Sequence, residues 1–198
     1  MNLKKVDAIK YGWAEVMNDF WVIVGVYTAS VALPAIVQNL IKNSEGNPLP
    51  IFSLLSFLLS ILFTCGLIKL ALHVLEKKTI SASLLYSEHK YYVQMLLGTI
   101  LNGIAVGLGI MLFIIPGIII GIKLSMFKYF IIEKNMSSID ALKASWNMTN
   151  GHVWELFLFA LLRIGVMMLG ILALGVGVLV AYPVIELAKA NIYHQLKK

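Results

Sequence analysis

Asp7-Ala8-Ile9-Lys10-Tyr11-Gly12-Trp13, followed by Trp21, and Asp140-Ala141-Leu142-Lys143-Ala144-Ser145-Trp146, followed by Trp154, are two copies of one pattern. They are related by a constant offset of 133 (7 to 140, 21 to 154) and hold all four tryptophans of the chain. Each copy leads straight into a long apolar run. An internal repeat changes the fold reading before any motif is considered. Here it implies that the chain uses one way of entering a membrane twice.

The 198 residues are 60% hydrophobic and 13% charged, with a mean hydropathy of +0.86. A soluble domain carries roughly 25% charged and about 45–50% apolar residues. All but one of the apolar runs exceed the roughly 18 residues that mark a membrane span, so the composition describes an integral membrane protein. The net charge of +6 comes from lysines flanking apolar runs. They read as topology signals with affinity for anionic lipid, not as a nucleic-acid surface. The single cysteine, Cys65, excludes an intrachain disulfide. Lys4 and Lys5 before an apolar stretch, with Ala32-Leu33-Pro34-Ala35 beyond it, resemble a leader. That leader would contain Glu15 and Asp19, so an uncleaved first span is expected.

The first apolar run covers residues 20–41 and is followed by the polar loop Lys42-Asn43-Ser44-Glu45-Gly46-Asn47-Pro48-Leu49-Pro50. The second covers 51–75, the third 91–115 and the fourth 118–132. Residues 153–193 are apolar with few interruptions. As one helix they would be about 60 Å long, twice the hydrocarbon thickness. That stretch must fold back, with Gly175-Val176-Gly177 as the expected bend; Pro116-Gly117 is the corresponding bend in 91–133. A kink within one helix at Pro116 is the alternative.

The resulting expectation is an all-α polytopic bundle of six transmembrane helices, paired as three hairpins (about 1–78, 79–135 and 136–198) in a single membrane domain. One set of connections holds Lys4, Lys5, Lys10, Lys77, Lys78, Lys90, Lys134, Lys143, Lys197 and Lys198, and the opposite set only Lys42. The lysine-rich side is therefore expected to be cytoplasmic, with both termini inside.

Short amphipathic interfacial helices are expected before spans 1 and 5. Val6, Ile9 and Trp13, like Ile139, Leu142 and Trp146, fall on one helical stripe. Ser137-Ser138-Ile139-Asp140 has the form of a capping box. Asn18 and Gly151 occupy matching positions at the elbows and suit a left-handed helix terminus. Trp13, Trp21, Trp146 and Trp154 are the expected interfacial anchors. The segment 80–90 stands where a third, degenerate copy would lie. Hairpins that all enter from one side are parallel repeats about the membrane normal.

The second half carries Ile115-Pro116-Gly117, the Lys123 span, Ile132-Glu133, then Ala141-Leu142-Lys143, Ser145-Trp146, Thr149 and Gly151, and closes with Pro183, Ala190 and Tyr193. This pattern resembles the six-span membrane-domain family of glycerophosphoryl diester phosphodiesterases and related uncharacterised bacterial inner-membrane proteins. The resemblance is best over roughly 110–195. Lys123 stands where the family's arginine is expected, and the catalytic barrel of the namesake enzymes is absent. The resemblance implies a fold, a bacterial cytoplasmic-membrane location and a link to envelope or lipid physiology, but no activity.

Charges inside spans are the candidate site: Lys69, Lys123, Arg163, Glu186 and Lys189. Each costs at least about 2.5–3.5 kcal/mol in the bilayer and marks function by default. Two readings stay open. One is a net-basic polar cavity open to the cytoplasm and suited to a phosphate headgroup. The other is an ion pair of Glu186 with Arg163 or Lys123, with Lys69 and Lys189 reaching to the interface. Glycines 98, 103, 107 and 109 imply close helix packing, with Gly103 and Gly107 as a GxxxG pair. His73-x-x-Glu76 and His152-x-x-Glu155 lack a third ligand, so no metal and no cofactor is expected. No hydrolase or nucleotide-binding motif is present.

The sequence thus points to a non-enzymatic membrane protein that binds lipid or scaffolds partners in membrane homeostasis. A small transporter for an anionic or lipid-like substrate is the alternative. Membrane lipids are the expected partners, without nucleic acid, and a homo-oligomer or membrane-protein partner stays open.

Overall fold

The apolar runs form helices. The computed structural model describes residues 3–40, 42, 46, 47, 49–78, 89–173, 175 and 177–197. The elements are α1 Lys5–Asn18, α2 Phe20–Asn39, α3 Pro50–Leu75, a single 3-10 turn His89–Tyr91, α4 Tyr92–Leu112, α5 Ile114–Lys123, α6 Phe127–Lys134, α7 Ser138–Thr149, α8 Val153–Leu172 and α9 Gly177–Leu196. Most of the degenerate third copy at 80–90, parts of the 42–50 loop, and Val176 of the 175–177 bend lie outside the described residues.

Five stretches are long and apolar enough to cross a membrane: Phe20–Asn39, Pro50–Leu75, Tyr92–Leu112, Ile114–Lys134 and Val153–Leu172. The chain is a helical membrane protein. The sixth candidate, α9, is as long as α2 but carries Glu186, Lys189, Asn191 and His194, which lower its hydropathy. It is the central helix. Leu187, Ala188, Ala190 and Ile192 are fully buried, and α1, α2, α3 and α8 all pack on it.

The two copies of the repeat form separate helices, α1 and α7, and α2 and α8 begin at positions again 133 apart (20 and 153). Ser137 caps α7, its hydroxyl accepting from Asp140 N at 3.3 Å and donating to the Asp140 carboxylate at 2.7 Å. At the second elbow Gly151 takes φ +83°, which only glycine adopts without strain. The first elbow differs from expectation, because Asn18 stays helical and the turn is made by Asp19 alone, at φ −120° and ψ 48°. Asp19 N bonds Glu15 O at 3.3 Å and Asp19 O accepts from Ile23 N at 3.0 Å. With both backbone groups satisfied, a left-handed cap is not needed.

The faces that α1 and α7 bury are made of small residues and repeat at the same offset: Ala8, Gly12 and Val16, then Ala141, Ser145 and Thr149. The large apolar stripe is turned outward, with Val6, Trp13, Ile139 and Trp146 exposed. In lipid, where apolar burial drives little helix association, small faces that permit close approach take over. A Cβ on Gly12 would lie 2.4 Å from Val184 O of α9, so α1 sits backbone to backbone on that helix. Leu3 N donates to the Glu155 carboxylate and Lys4 N to Gln195 Oε1 at 2.9 Å. Tyr11 Oη reaches Val74 O at 3.4 Å. Burial, and then Glu15 beside it, push this phenol well above its ordinary range, so it stays a neutral donor.

α7 serves the fourth apolar run in the same way. That run breaks at 124–126, between α5 and α6. Ser145 Oγ accepts from Met126 N at 3.1 Å and donates to Lys123 O at 2.8 Å; Thr149 Oγ1 donates to the same carbonyl at 3.0 Å. Backbone groups freed inside a membrane must be re-satisfied by neighbouring protein, and α7 does this for the break.

The turn between α4 and α5 corrects the expected position of the bend. It falls at the extended residue Phe113 (φ −160°, ψ 147°), and Pro116 lies in the first turn of α5. Proline there removes a donor that has no intrahelical partner in any case. α5 folds back along α4, and a Cβ on Gly117 would lie 2.3–2.9 Å from Ile110. The glycine expectation is corrected as well. Gly98 faces Phe127 and Gly109 faces Gly117, whereas Gly103 and Gly107 meet nothing within 4 Å among the described residues. Residues 98 and 109 are about three full turns apart and share a face; 103 and 107 lie on another.

Candidate functional site

The intramembrane charges converge on α9. Arg163 Nη2 of α8 meets Glu186 Oε1 at 3.3 Å. Lys189, about one turn further along α9, and Lys128 of α6 line a chamber of about 120 Å³ together with Glu186, Tyr27 of α2, Thr64 of α3 and Tyr182. Leu67, Ile68 and Ala71 of α3 close one wall. The Tyr27 and Tyr182 rings meet edge to face at 5.6 Å. Measured along the helices at 1.5 Å per residue, Lys128 and Lys189 lie about 10 Å from the lysine-rich ends, and Arg163 and Glu186 about 15 Å.

Three cations face one carboxylate, a formal excess of two positive charges. Arg163 is the partner of Glu186. Among the described residues neither Lys128 nor Lys189 has an ion pair or a side-chain hydrogen bond. Among the described residues the ring contact of the Lys189 ammonium is with Tyr129, 6.0 Å away. The Tyr27 hydroxyl and Arg163 Nε are buried without a partner among the described residues. A buried donor left unsatisfied costs about 1–3 kcal/mol, and an intramembrane lysine about 2.5–3.5 kcal/mol. A chamber of this volume admits about four waters at roughly 30 Å³ each. An anion with several acceptor oxygens fits that space and matches the excess charge and the idle donors together.

Below the chamber the lysine-rich ends of α6 and α9 are tied together. Glu133 accepts from Tyr193 Oη and from Lys197 Nζ at 2.8 Å, and Tyr193 stacks on Tyr129 at 4.8 Å.

Of the residues singled out from sequence, Arg163, Glu186 and Lys189 come together. Lys123 does not join them. Its ammonium sits 4.1 Å from the Trp146 ring and 3.2 Å from Asn150 Oδ1, at the end of α7. Lys69 is half-buried on α3 and does not line the chamber. Trp13, Trp21, Trp146 and Trp154 are all exposed. Glu155 accepts from Leu3 N and Glu76 pairs with Lys78, so both glutamates of the His-x-x-Glu spacings have partners, while His73 Nδ1 and His152 Nδ1 are buried without one among the described residues. No group of three His, Cys, Asp or Glu side chains suited to a metal exists among the described residues.

Lys128, Tyr27, Tyr182 and Thr64 are the residues that sequence reasoning missed. The rule that singles out Lys123 applies equally to Lys128, a lysine within the fourth apolar run. The tyrosines and Thr64 carry no such signal, because each is ordinary at its position in an apolar helix.

Over residues 109–198 the chain is similar to a family described as Protein of unknown function (DUF975). That span includes Lys128, Arg163, Glu186 and Lys189, but not Tyr27 or Thr64. The match fits a relationship to uncharacterised membrane proteins. No curated protein matches the chain, and no solved structure does.

Proposed function

We propose that the chain is a non-enzymatic membrane protein that binds the anionic headgroup of a lipid in the chamber around Lys128 and Lys189, in the service of membrane homeostasis. The observation that carries this reading is the pair of lysines that make no ion pair among the described residues, beside an Arg163–Glu186 pair that is already made. Phosphate chemistry suits the site, since tetrahedral oxygens accept from ammonium, guanidinium and phenol donors at once.

The full architecture belongs to the same proposal. α9 crosses the membrane as a sixth span despite Glu186 and Lys189, because it is surrounded by protein. The spans pair as three hairpins, α2 with α3, α4 with α5–α6, and α8 with α9. The lysine-rich side, with both termini, is cytoplasmic in a bacterial inner membrane. α7 lies at that interface with Trp146 at headgroup depth, whereas α1 follows α9 inward, from Lys4 beside Gln195 to Gly12 beside Val184. The kinship with the membrane domain of glycerophosphoryl diester phosphodiesterases rests on the residues quoted above and brings no catalytic activity.

The test is the unfolding midpoint of the purified protein in detergent with inorganic phosphate or with short-chain phosphatidylglycerol. A ligand that binds only the folded state raises stability by about 2.7 kcal/mol at a hundred times its Kd. Both additions raise the midpoint on this reading, and short-chain phosphatidylcholine, which lacks net charge, does so less. No response to any anion contradicts it.

A second reading, a small transporter for an anionic substrate, is favoured by the break at 124–126 beside the charges, since discontinuous spans often form transport sites. Uptake of labelled phosphate into proteoliposomes distinguishes it. Flux that depends on Lys128 and Lys189 supports transport, and binding without flux supports lipid handling.

A further inference from the structure

The chamber is not isolated from the bilayer. Lys189 also lines a second cavity, of about 240 Å³, that lies between the α5–α6 break and α8 and is bounded by Gly121, Ser125, Ala160 and Arg163. This second cavity shares Ile118 and Ile122 with a third, a surface groove of about 430 Å³ between α5 and α8. The groove is apolar throughout. Its far wall is Trp154 stacked on Phe157 at 5.5 Å, and Ile115, Ile118 and Ile119 stand exposed along it. Polarity therefore runs in one direction, from an apolar groove facing lipid, through Ser125 and Arg163, to Lys128 and Lys189.

We infer that an anionic lipid enters sideways from the bilayer between α5 and α8, its acyl chain held in the Ile115–Trp154 groove and its phosphate passing Arg163 to rest in the chamber against Lys128 and Lys189. This inference deepens the proposed function and rests on it. One feature argues for an amphiphile over a water-soluble anion: a soluble anion has no use for an apolar approach. The chain also spans the lipid from which the groove would be filled. The opening adjoins the stretch where the backbone changes direction at 124–126, and that change leaves space beside Gly121 and Ala160.

The test uses the full chain in nanodiscs containing phosphatidylglycerol or phosphatidylcholine, each with a photoreactive group on the acyl chain. Labelling is read by peptide mass spectrometry. Phosphatidylglycerol is expected to label residues 115–122 and 153–157, about tenfold more than phosphatidylcholine, a ratio equivalent to 1.4 kcal/mol. Ala160→Phe narrows the passage without touching a charge. It is expected to cut that labelling about tenfold while leaving the phosphate-induced rise in unfolding midpoint intact. Ala160→Ser, of nearly native size, keeps the labelling and controls for misfolding. Equal labelling by the two lipids, labelling unaffected by Ala160→Phe, or labelling centred on the other apolar groove, beside Trp13, Val166 and Leu169, overturns the inference. In each of those cases a surviving phosphate response leaves the anion site standing with a different route, whereas loss of that response in the unaltered protein removes both.

Discussion

Glu186 lies 3.3 Å from Arg163, and that contact is the only ion pair in a cluster that also contains Lys128 and Lys189. The carboxylate is outnumbered, so the two partners are not equivalent. Losing Arg163 leaves Glu186 with two lysines nearby, while losing Glu186 leaves three cations with no counter-charge. Leaving a buried charge uncompensated costs about 3–5 kcal/mol. Glu186→Leu is therefore expected to lower the unfolding midpoint clearly more than Arg163→Leu, measured by tryptophan fluorescence in one detergent. Equal losses, or the reverse order, contradict the account of the cluster as net basic.

Gly12 fixes how closely α1 approaches α9. Gly12→Leu places a side chain where a Cβ alone already falls 2.4 Å from Val184 O. Overpacking of this kind costs about 1–3 kcal/mol. Hydrogen exchange should quicken along 5–18, while Gly103→Leu, with open space around it, should stay within about 0.5 kcal/mol of the unaltered protein. If both variants behave alike, α1 does not rest on α9 as described.

Ser145 is the serine of the second copy that corresponds to Gly12 in the first, and its hydroxyl bridges Met126 N and Lys123 O. Ser145→Ala removes the acceptor from Met126 N, and Thr149 still covers the carbonyl. A loss of about 1–3 kcal/mol follows from one unsatisfied donor. Ser145→Thr, which keeps a hydroxyl, should recover part of it. Hydrogen exchange confined to 124–127 is the readout, and unchanged protection there would contradict the bridging role.

How far these features were legible depends on which physical signal each one leaves. Long apolar runs, the capping box at Ser137 and the glycine at 151 follow from local rules, and the structure has helices, a cap and a left-handed turn at those places. The repeat correctly announced two lead-in helices. Their hydrophobic stripe marked the large residues as interfacial anchors, and it gave no hint that Ala8, Gly12 and Val16 make the packing face. In lipid the apolar stripe and the packing stripe differ, because small residues, not large ones, mark contact. Pro116 was the visible breaker, yet the turn lies at Phe113, since proline tolerates the first turn of a helix. The chamber itself was half legible. Arg163, Glu186 and Lys189 stand out as charges in apolar helices, whereas Tyr27, Thr64 and Tyr182 reach it only through tertiary packing.

The central claim is that Lys128 and Lys189 hold an anion. Its most direct test is the affinity of the purified protein for short-chain phosphatidylglycerol, compared with that of a Lys128→Gln/Lys189→Gln double variant. A hydrogen bond to a charged group contributes about 1.5–3 kcal/mol, so the double variant should bind at least about a hundredfold more weakly while unfolding no earlier than the unaltered protein. Removal of two uncompensated charges from the membrane should, if anything, stabilise it. An unchanged affinity, with the double variant folded, would contradict the account.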